Sequence, residues 1–114
     1  MIPGVQASVD TKKDLYEVSR NLMNRNDRSR FWREVRRAKE QGIKLIILTE
    51  HSSKIKTIRD VAEWNDRFSG VSGRVLMNEM FRIHVSYGVE FLFCSKKETG
   101  KKVIEILSSY FENR

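Results

Sequence analysis

The sequence is poor in cysteine, proline and histidine, and it contains no long apolar run. A single cysteine, Cys94, excludes an internal disulfide, and two histidines are too few for a zinc-type ligand cluster. No apolar stretch approaches the roughly 18 to 20 residues that a membrane span needs, and the N-terminus lacks a signal-peptide pattern. We therefore expect a cytoplasmic protein with no membrane contact.

Positive charge is what the sequence has in excess. Its 114 residues, enough for one domain spanning residues 1–114, include 22 Lys or Arg and 15 Asp or Glu, a net charge of +7. Nine of these cations and only three acids lie between Arg20 and Lys44, a local net charge of +6. The alternative is a solvated helix face, but such faces usually mix both signs, so we favour contact with nucleic acid. The residues expected to bind DNA are Arg25, Arg28, Arg33, Arg36 and Arg37.

Hydrophobic periodicity predicts the element order β, α, α, β, α, α, β, α, with strands at 7–12, 43–49 and 89–94. The apolar run 43–49 is typical of a strand buried on both faces of a mainly parallel sheet. We expect Asp27 to cap a second helix that begins at Arg28. Residues 65–73, rich in serine and glycine, are expected to form a flexible connection.

The last helix is predicted from a capping box, in which Ser95 and Glu98 stand at the helix start. The apolar residues at helical spacing after it should face the sheet. The expected inner face comprises Val103, Ile104, Leu107 and Phe111.

The first strand carries the most chemically useful pair, Asp10 and Lys12. Because alternate strand residues share a face, these two side chains should project together. A carboxylate can hold a divalent cation, and an ammonium can polarise a water or stabilise charge on a phosphate. The alternative is an ordinary surface ion pair.

For several other residues, the sequence allows either a functional or a purely structural role. Trp32 lies off the apolar stripe of its helix and either stacks on a base or packs against a neighbouring element. Glu50 and His51 follow a buried strand, at the sheet edge where ligands often bind; the alternative is that His51 only caps or hydrogen-bonds a turn. Cys94 lies in an apolar run, which favours a buried thiol over a nucleophile.

Several blocks of the sequence together resemble the XPF-type nuclease domain, especially the small single-domain form related to archaeal Hef. The resemblance covers nearly the whole chain from Val5 onward. It is carried by Asp10-Thr11-Lys12, Asn21-Leu22, Arg30-Phe31, the run from Lys39 to His51 and the run from Tyr87 to Cys94.

The resemblance implies a restriction-endonuclease-like three-layer α/β sandwich, with a small mixed, mainly parallel sheet flanked by helices. It further implies endonuclease activity on branched or flapped DNA with Mg²⁺ or Mn²⁺, and a homodimer. Asp10 would be a metal ligand, Lys12 would orient the attacking water, and Glu17 would match a later acid one position out of register. The alternative function is a non-catalytic DNA-binding or dimerisation module of the same fold.

The sequence departs from the family signature in two places. Thr11 replaces an arginine, and no Gly-Asp pair precedes Asp10. Since the family's Gly-Asp strand comes before a turn like that at residues 2–4, we expect Met1 to be an internal methionine of a longer protein. The nuclease is therefore expected to be N-terminally truncated and inactive or weak in this form.

Overall fold

A three-stranded parallel sheet lies at the centre of the computed structural model, which describes residues 6–51 and 54–112. The strands are β1 (Gln6–Lys12), β2 (Ile43–Glu50) and β3 (Glu90–Cys94), in the order β1-β2-β3. Both pairings are parallel, with Asp10 opposite Ile47 and Phe91 on the other side of Ile47. The predicted α/β class with a mainly parallel sheet is confirmed at this level.

In the described residues, four α-helices and two short 3-10 helices connect and flank the strands, and the second 3-10 helix is an addition to the predicted order. The α-helices are α1 (Leu15–Met23), α2 (Arg25–Glu40), α3 (Gly73–Tyr87) and α4 (Thr99–Glu112). The 3-10 helices are Ile58–Glu63, which starts at a capping box of Thr57 and Asp60, and Lys96–Glu98. Within 6–51 and 54–112, none of the helices combines the length and apolar character that crossing a membrane demands.

The central strand β2 is buried on both faces, as its unbroken apolar run predicts. Leu45 and Ile47 pack in a core with residues of α1, α2 and α3, whereas Ile46 and Leu48 pack with Ile106 of α4. The helices therefore cover both sides of the sheet, and α2 and α4 lie on opposite sides. Asp10 and Lys12 share the α1–α2 side, because Val9 packs in the α4 core.

The start of α2 differs from the sequence prediction. The helix begins at Arg25, three residues before the expected Arg28, and its N-cap is Asn24 rather than Asp27. The side-chain oxygen of Asn24 accepts hydrogen bonds from the backbone N–H groups of Asn26 (3.1 Å) and Asp27 (3.4 Å). A single residue thus joins α1 to α2, and Arg25 and Arg28 both lie on the helix.

Two predictions about the C-terminal helix were wrong. Ile104 is 66% exposed, whereas Ile106 is 7% exposed and packs on the sheet, so the helix face is rotated from the one expected. Ser95 makes no capping bond to the backbone; its hydroxyl donates to the Glu98 carboxylate at 2.7 Å. The side chain of Phe111 and the turn at residues 1–4 lie outside the described parts of the chain.

The connection at 65–73 is more ordered than expected. Asn65 and Ser72 form an antiparallel bridge, and the Asp66 carboxylate is buried inside the loop that they close. At the end of the loop, Gly73 begins α3 in contact with the backbone of the first 3-10 helix. The loop is therefore a fixed feature of the surface next to α1.

Candidate nucleic-acid interface and the Asp10–Lys12 cavity

Asp10 and Lys12 project from the same face of β1, as predicted. The Lys12 ammonium lies 3.1 Å from a carboxylate oxygen of Asp10, and the two side chains are 12% and 34% exposed, respectively. The pair is thus partly withdrawn from solvent rather than a fully exposed ion pair. This geometry is compatible with a catalytic pair and also with an ordinary ion pair, because both require the carboxylate and the ammonium to lie close together.

A small cavity of about 230 Å³ brings the three predicted catalytic residues together. Its lining comprises Asp10, Lys12, Glu17, Asn21, Asp27, Arg30, Phe31 and Glu34. One Glu17 oxygen already accepts the backbone N–H of Lys13 at 2.8 Å, while the N–H of Glu17 donates to Asp14 at 2.9 Å. Glu17 therefore takes part in the N-terminal capping of α1 as well as lining the cavity.

The residues around this cavity do not fit a preformed magnesium or manganese site. Such ions prefer about six oxygen ligands in octahedral geometry. Across residues 6–51 and 54–112, no three side chains of His, Cys, Asp or Glu approach closely enough to hold a metal ion. The Asp10 carboxylate also has the Lys12 ammonium as its neighbour. We therefore derive no chemical step through a metal.

A groove of about 750 Å³ runs along α2, and we call it the arginine groove. It is lined by Met23, Arg25, Arg28, Ser29, Trp32, Arg33, Arg36 and Tyr87. Most of its α2 residues are three or four positions apart, the spacing of one helix face. Four of the five arginines predicted to bind DNA therefore share one groove.

Arg37 is the exception among the five. It lines a separate cavity of about 360 Å³, together with Asp10 and Glu34. The same cavity includes Ala38 on α2 and Leu45 on β2, which places it between the helix and the sheet. Arg37 thus shares a cavity with Asp10 and does not line the arginine groove.

The positive charge of the groove is only partly neutralised within the molecule. Arg28 lies 3.7 Å from the Glu79 carboxylate, which also accepts a 2.6 Å bond from Arg82. Among the described residues, Arg25, Arg33 and Arg36 have no carboxylate within 4.0 Å. Three exposed guanidinium groups therefore remain available to an anion.

Glu79 is the carboxylate that sequence reasoning missed. Its hydrogen bonds from Arg82 hold its pKa below the ordinary value, outweighing the opposite effect of burial. The same bonds raise the pKa of Arg82. The spacing of three residues between Glu79 and Arg82 on a helix was the available signal. Because Glu79 serves two arginines, this cluster keeps a net positive charge.

Two aromatic rings form the floor of the groove. Trp32 packs edge-to-face on Tyr87 with ring centroids 4.7 Å apart, so the packing alternative for Trp32 is the one observed. Arg82 lies 5.5 Å from the Trp32 centroid, and Lys39 lies 5.7 Å from that of Tyr87. Tyr87 is 37% exposed. Each of the two adjoining rings thus has a cation beside it.

Glu50 and His51 lie at the C-terminal edge of the sheet and make structural contacts. Glu50 accepts a 2.5 Å bond from the Thr99 hydroxyl at the start of α4. The backbone N–H of His51 donates to the Cys94 carbonyl at 2.9 Å. Burial lowers the pKa of His51, and nearby Asp14 partly opposes that shift. These contacts favour a structural role for both residues over a place in a ligand-binding site.

Comparison with known proteins leaves the chain without an assigned family. No family model matches the chain, and neither does any curated protein or solved structure.

Proposed function

We propose that this protein binds DNA through the arginine groove of α2. The observation that carries the proposal is the concentration of Arg25, Arg33 and Arg36, without carboxylate partners among the described residues, beside the rings of Trp32 and Tyr87. Guanidinium groups on one helix face suit the closely spaced phosphates of a nucleic-acid backbone. Binding would release the counterions that condense on those phosphates, so its affinity should fall as salt rises.

Fluorescence anisotropy with a labelled DNA duplex over a series of salt concentrations tests this proposal. The informative variant is the double substitution Arg33→Gln/Arg36→Gln. The matched control is Lys97→Gln/Lys101→Gln, which removes the same charge from exposed positions next to and on α4, across the sheet from α2. Circular dichroism would verify that each variant is folded.

The arginine variant should lose affinity by about tenfold or more at moderate salt, whereas the lysine control should change little. Because each lost phosphate contact lowers the salt slope by about 0.9, the slope should fall by about 1.8 in the arginine variant. Equal losses in both variants would mean that net charge, rather than the groove, governs binding. That result would refute the proposal.

A second candidate function is hydrolysis of DNA phosphodiester bonds at the Asp10–Lys12 cavity. It is favoured by one observation, that Asp10, Lys12 and Glu17 line the same cavity beside Arg30. On this proposal the chain is a restriction-endonuclease-like domain that acts on branched or flapped DNA. The described residues do not form a preformed site for the Mg²⁺ or Mn²⁺ that the resemblance to XPF-type nucleases implies.

Incubating the protein with Mn²⁺ and labelled flapped DNA tests the second candidate. Wild type should cut slowly, and Asp10→Asn, which keeps the shape of the side chain, should abolish cutting. The lysine control described above should cut like wild type. Cutting that persists in Asp10→Asn would point to a contaminating nuclease, and no cutting by wild type would leave DNA binding as the function. The homodimer stays a prediction, which light scattering can check.

A further inference from the structure

The loop from Asn65 to Ser72 is held in place by one buried carboxylate. Asp66 is 4% exposed and accepts hydrogen bonds from the backbone N–H groups of Phe68 (2.9 Å) and Ser69 (3.1 Å). It also accepts a 3.0 Å bond from the hydroxyl of Ser19 on α1. Burial alone would raise the pKa of Asp66, but these hydrogen bonds outweigh it and lower the pKa. An ionised Asp66 therefore ties the loop to α1.

Phe68 stands at the tip of this loop and is 86% exposed, more than any other large apolar side chain among the described residues. Its ring contacts Tyr16 edge-to-face at a centroid distance of 5.1 Å. Tyr16 in turn packs on Trp64 at 5.0 Å. The Phe68 ring thus packs on Tyr16, which packs in turn on Trp64, while most of the Phe68 surface faces solvent. A ring held in this way offers apolar area that stacking of a ligand would remove from water.

The surroundings of the loop are basic. Asp66 and Ser69 line a cavity of about 320 Å³ with Arg20, Met23 and Arg25. Met23 and Arg25 also line the arginine groove, so the loop lies at the end of that groove. Arg67, next to Phe68, is exposed, and the carboxylate lining the cavity, Asp66, is already satisfied by its hydrogen bonds. The occupant that suits an aromatic ring on a loop beside a basic groove is an anion with flat apolar faces.

We propose that Phe68 is a base-stacking residue, which receives an unpaired nucleotide of a strand whose phosphates lie in the arginine groove. The inference rests on the proposed DNA binding and deepens it by naming the substrate class, DNA with at least one unpaired base. A base inside a duplex is covered by its neighbours, so only an unpaired or flipped base offers a face to Phe68. The preformed loop means that little ordering is needed when the base stacks.

The test measures binding of a single strand that carries one 2-aminopurine, and of the duplex made from the same strand, to wild type, Phe68→Ala and Phe68→Trp. Ile104→Ala is the control, because Ile104 is also strongly exposed but lies on α4, on the other side of the sheet. Phe68→Ala should weaken single-strand binding by about tenfold, the usual effect of losing one stacked base. Phe68→Trp should restore it, and duplex binding should stay as in wild type.

The readouts separate the possible failures. If wild type bound neither DNA form, the proposed function would fail and this inference with it. If wild type bound but Phe68→Ala bound single strands equally well, or weakened both forms alike, only the inference would be overturned. The 2-aminopurine fluorescence should be quenched by wild type and less so by Phe68→Ala. A smaller particle mass for Phe68→Ala in light scattering would identify Phe68 as a protein contact and also overturn the inference.

Discussion

Replacing Gly73 by alanine should severely destabilise the fold, because the start of α3 touches the end of the first 3-10 helix. A Cβ atom at Gly73 would lie 1.8 Å from the carbonyl oxygen of Trp64 and 2.2 Å from that of Val61. Since non-bonded carbon contacts lie at about 3.5 Å, the two backbones would have to separate by more than about 1 Å. Both obstacles are main-chain atoms, so no side-chain rotation can relieve the clash.

The separation would also open the core beside Val61 and Leu76, each 0% exposed. We expect Gly73→Ala to lose about 3 kcal/mol or more, against a total stability of roughly 5–15 kcal/mol for a domain of this kind. Urea denaturation followed by circular dichroism measures the difference. Gly100→Ala is the matched control, because its Cβ would meet nothing within 4 Å and its effect should stay below about 1 kcal/mol. A loss below about 1 kcal/mol for Gly73→Ala would refute this packing argument.

Three further predictions concern caps and titrating groups. Asn24→Ala should cost about 1 kcal/mol in urea denaturation, because the shared cap of α2 is lost, and an unchanged midpoint would contradict that role. Asp66→Ala should cost about 2–3 kcal/mol. Because the pKa of Asp66 is lower in the folded protein, its ionisation stabilises the fold above pH about 4. This stabilisation is lost as the pH falls through the folded pKa. The free energy of unfolding of Asp66→Ala should therefore decrease less on acidification than that of wild type. Burial also lowers the pKa of His51, so the neutral imidazole stabilises the fold above pH about 6.5 and this contribution is lost on acidification. In thermal melts from pH 7 to 5, the melting temperature of His51→Gln should therefore fall less than that of wild type.

Most of the architecture could be predicted from local patterns. The apolar run of β2 indicated burial on both faces, and Gly88, with φ of 70°, ends α3 where a left-handed residue is needed. The predicted start of α2 was wrong because two side chains, Asn24 and Asp27, could each cap a helix. The sequence does not show which of them does so. The prediction that Ile104 faces the sheet was wrong because the rotation of α4 about its own axis depends on how the helix packs on the sheet. Helical spacing alone does not determine that rotation.

The candidate site depended more on tertiary packing. Same-face projection of Asp10 and Lys12 follows from strand geometry alone, and it was confirmed. The split of the arginines between two cavities, with Arg37 apart from the rest, depends on where α2 lies on the sheet. The exposure of Phe68 likewise depends on the buried Asp66. A turn pattern of Asp followed by Ser and Gly was the only sequence signal for that loop.

Photocrosslinking is the most direct test of the claim that the arginine groove contacts nucleic acid. A bromodeoxyuridine-substituted strand would be irradiated with the protein, and the attached peptides identified by mass spectrometry. We expect adducts on the peptides that carry Trp32 and Tyr87, on the floor of the groove. Adducts confined to Tyr110, which belongs to α4 on the opposite side of the sheet, would contradict the claim that the arginine groove contacts nucleic acid.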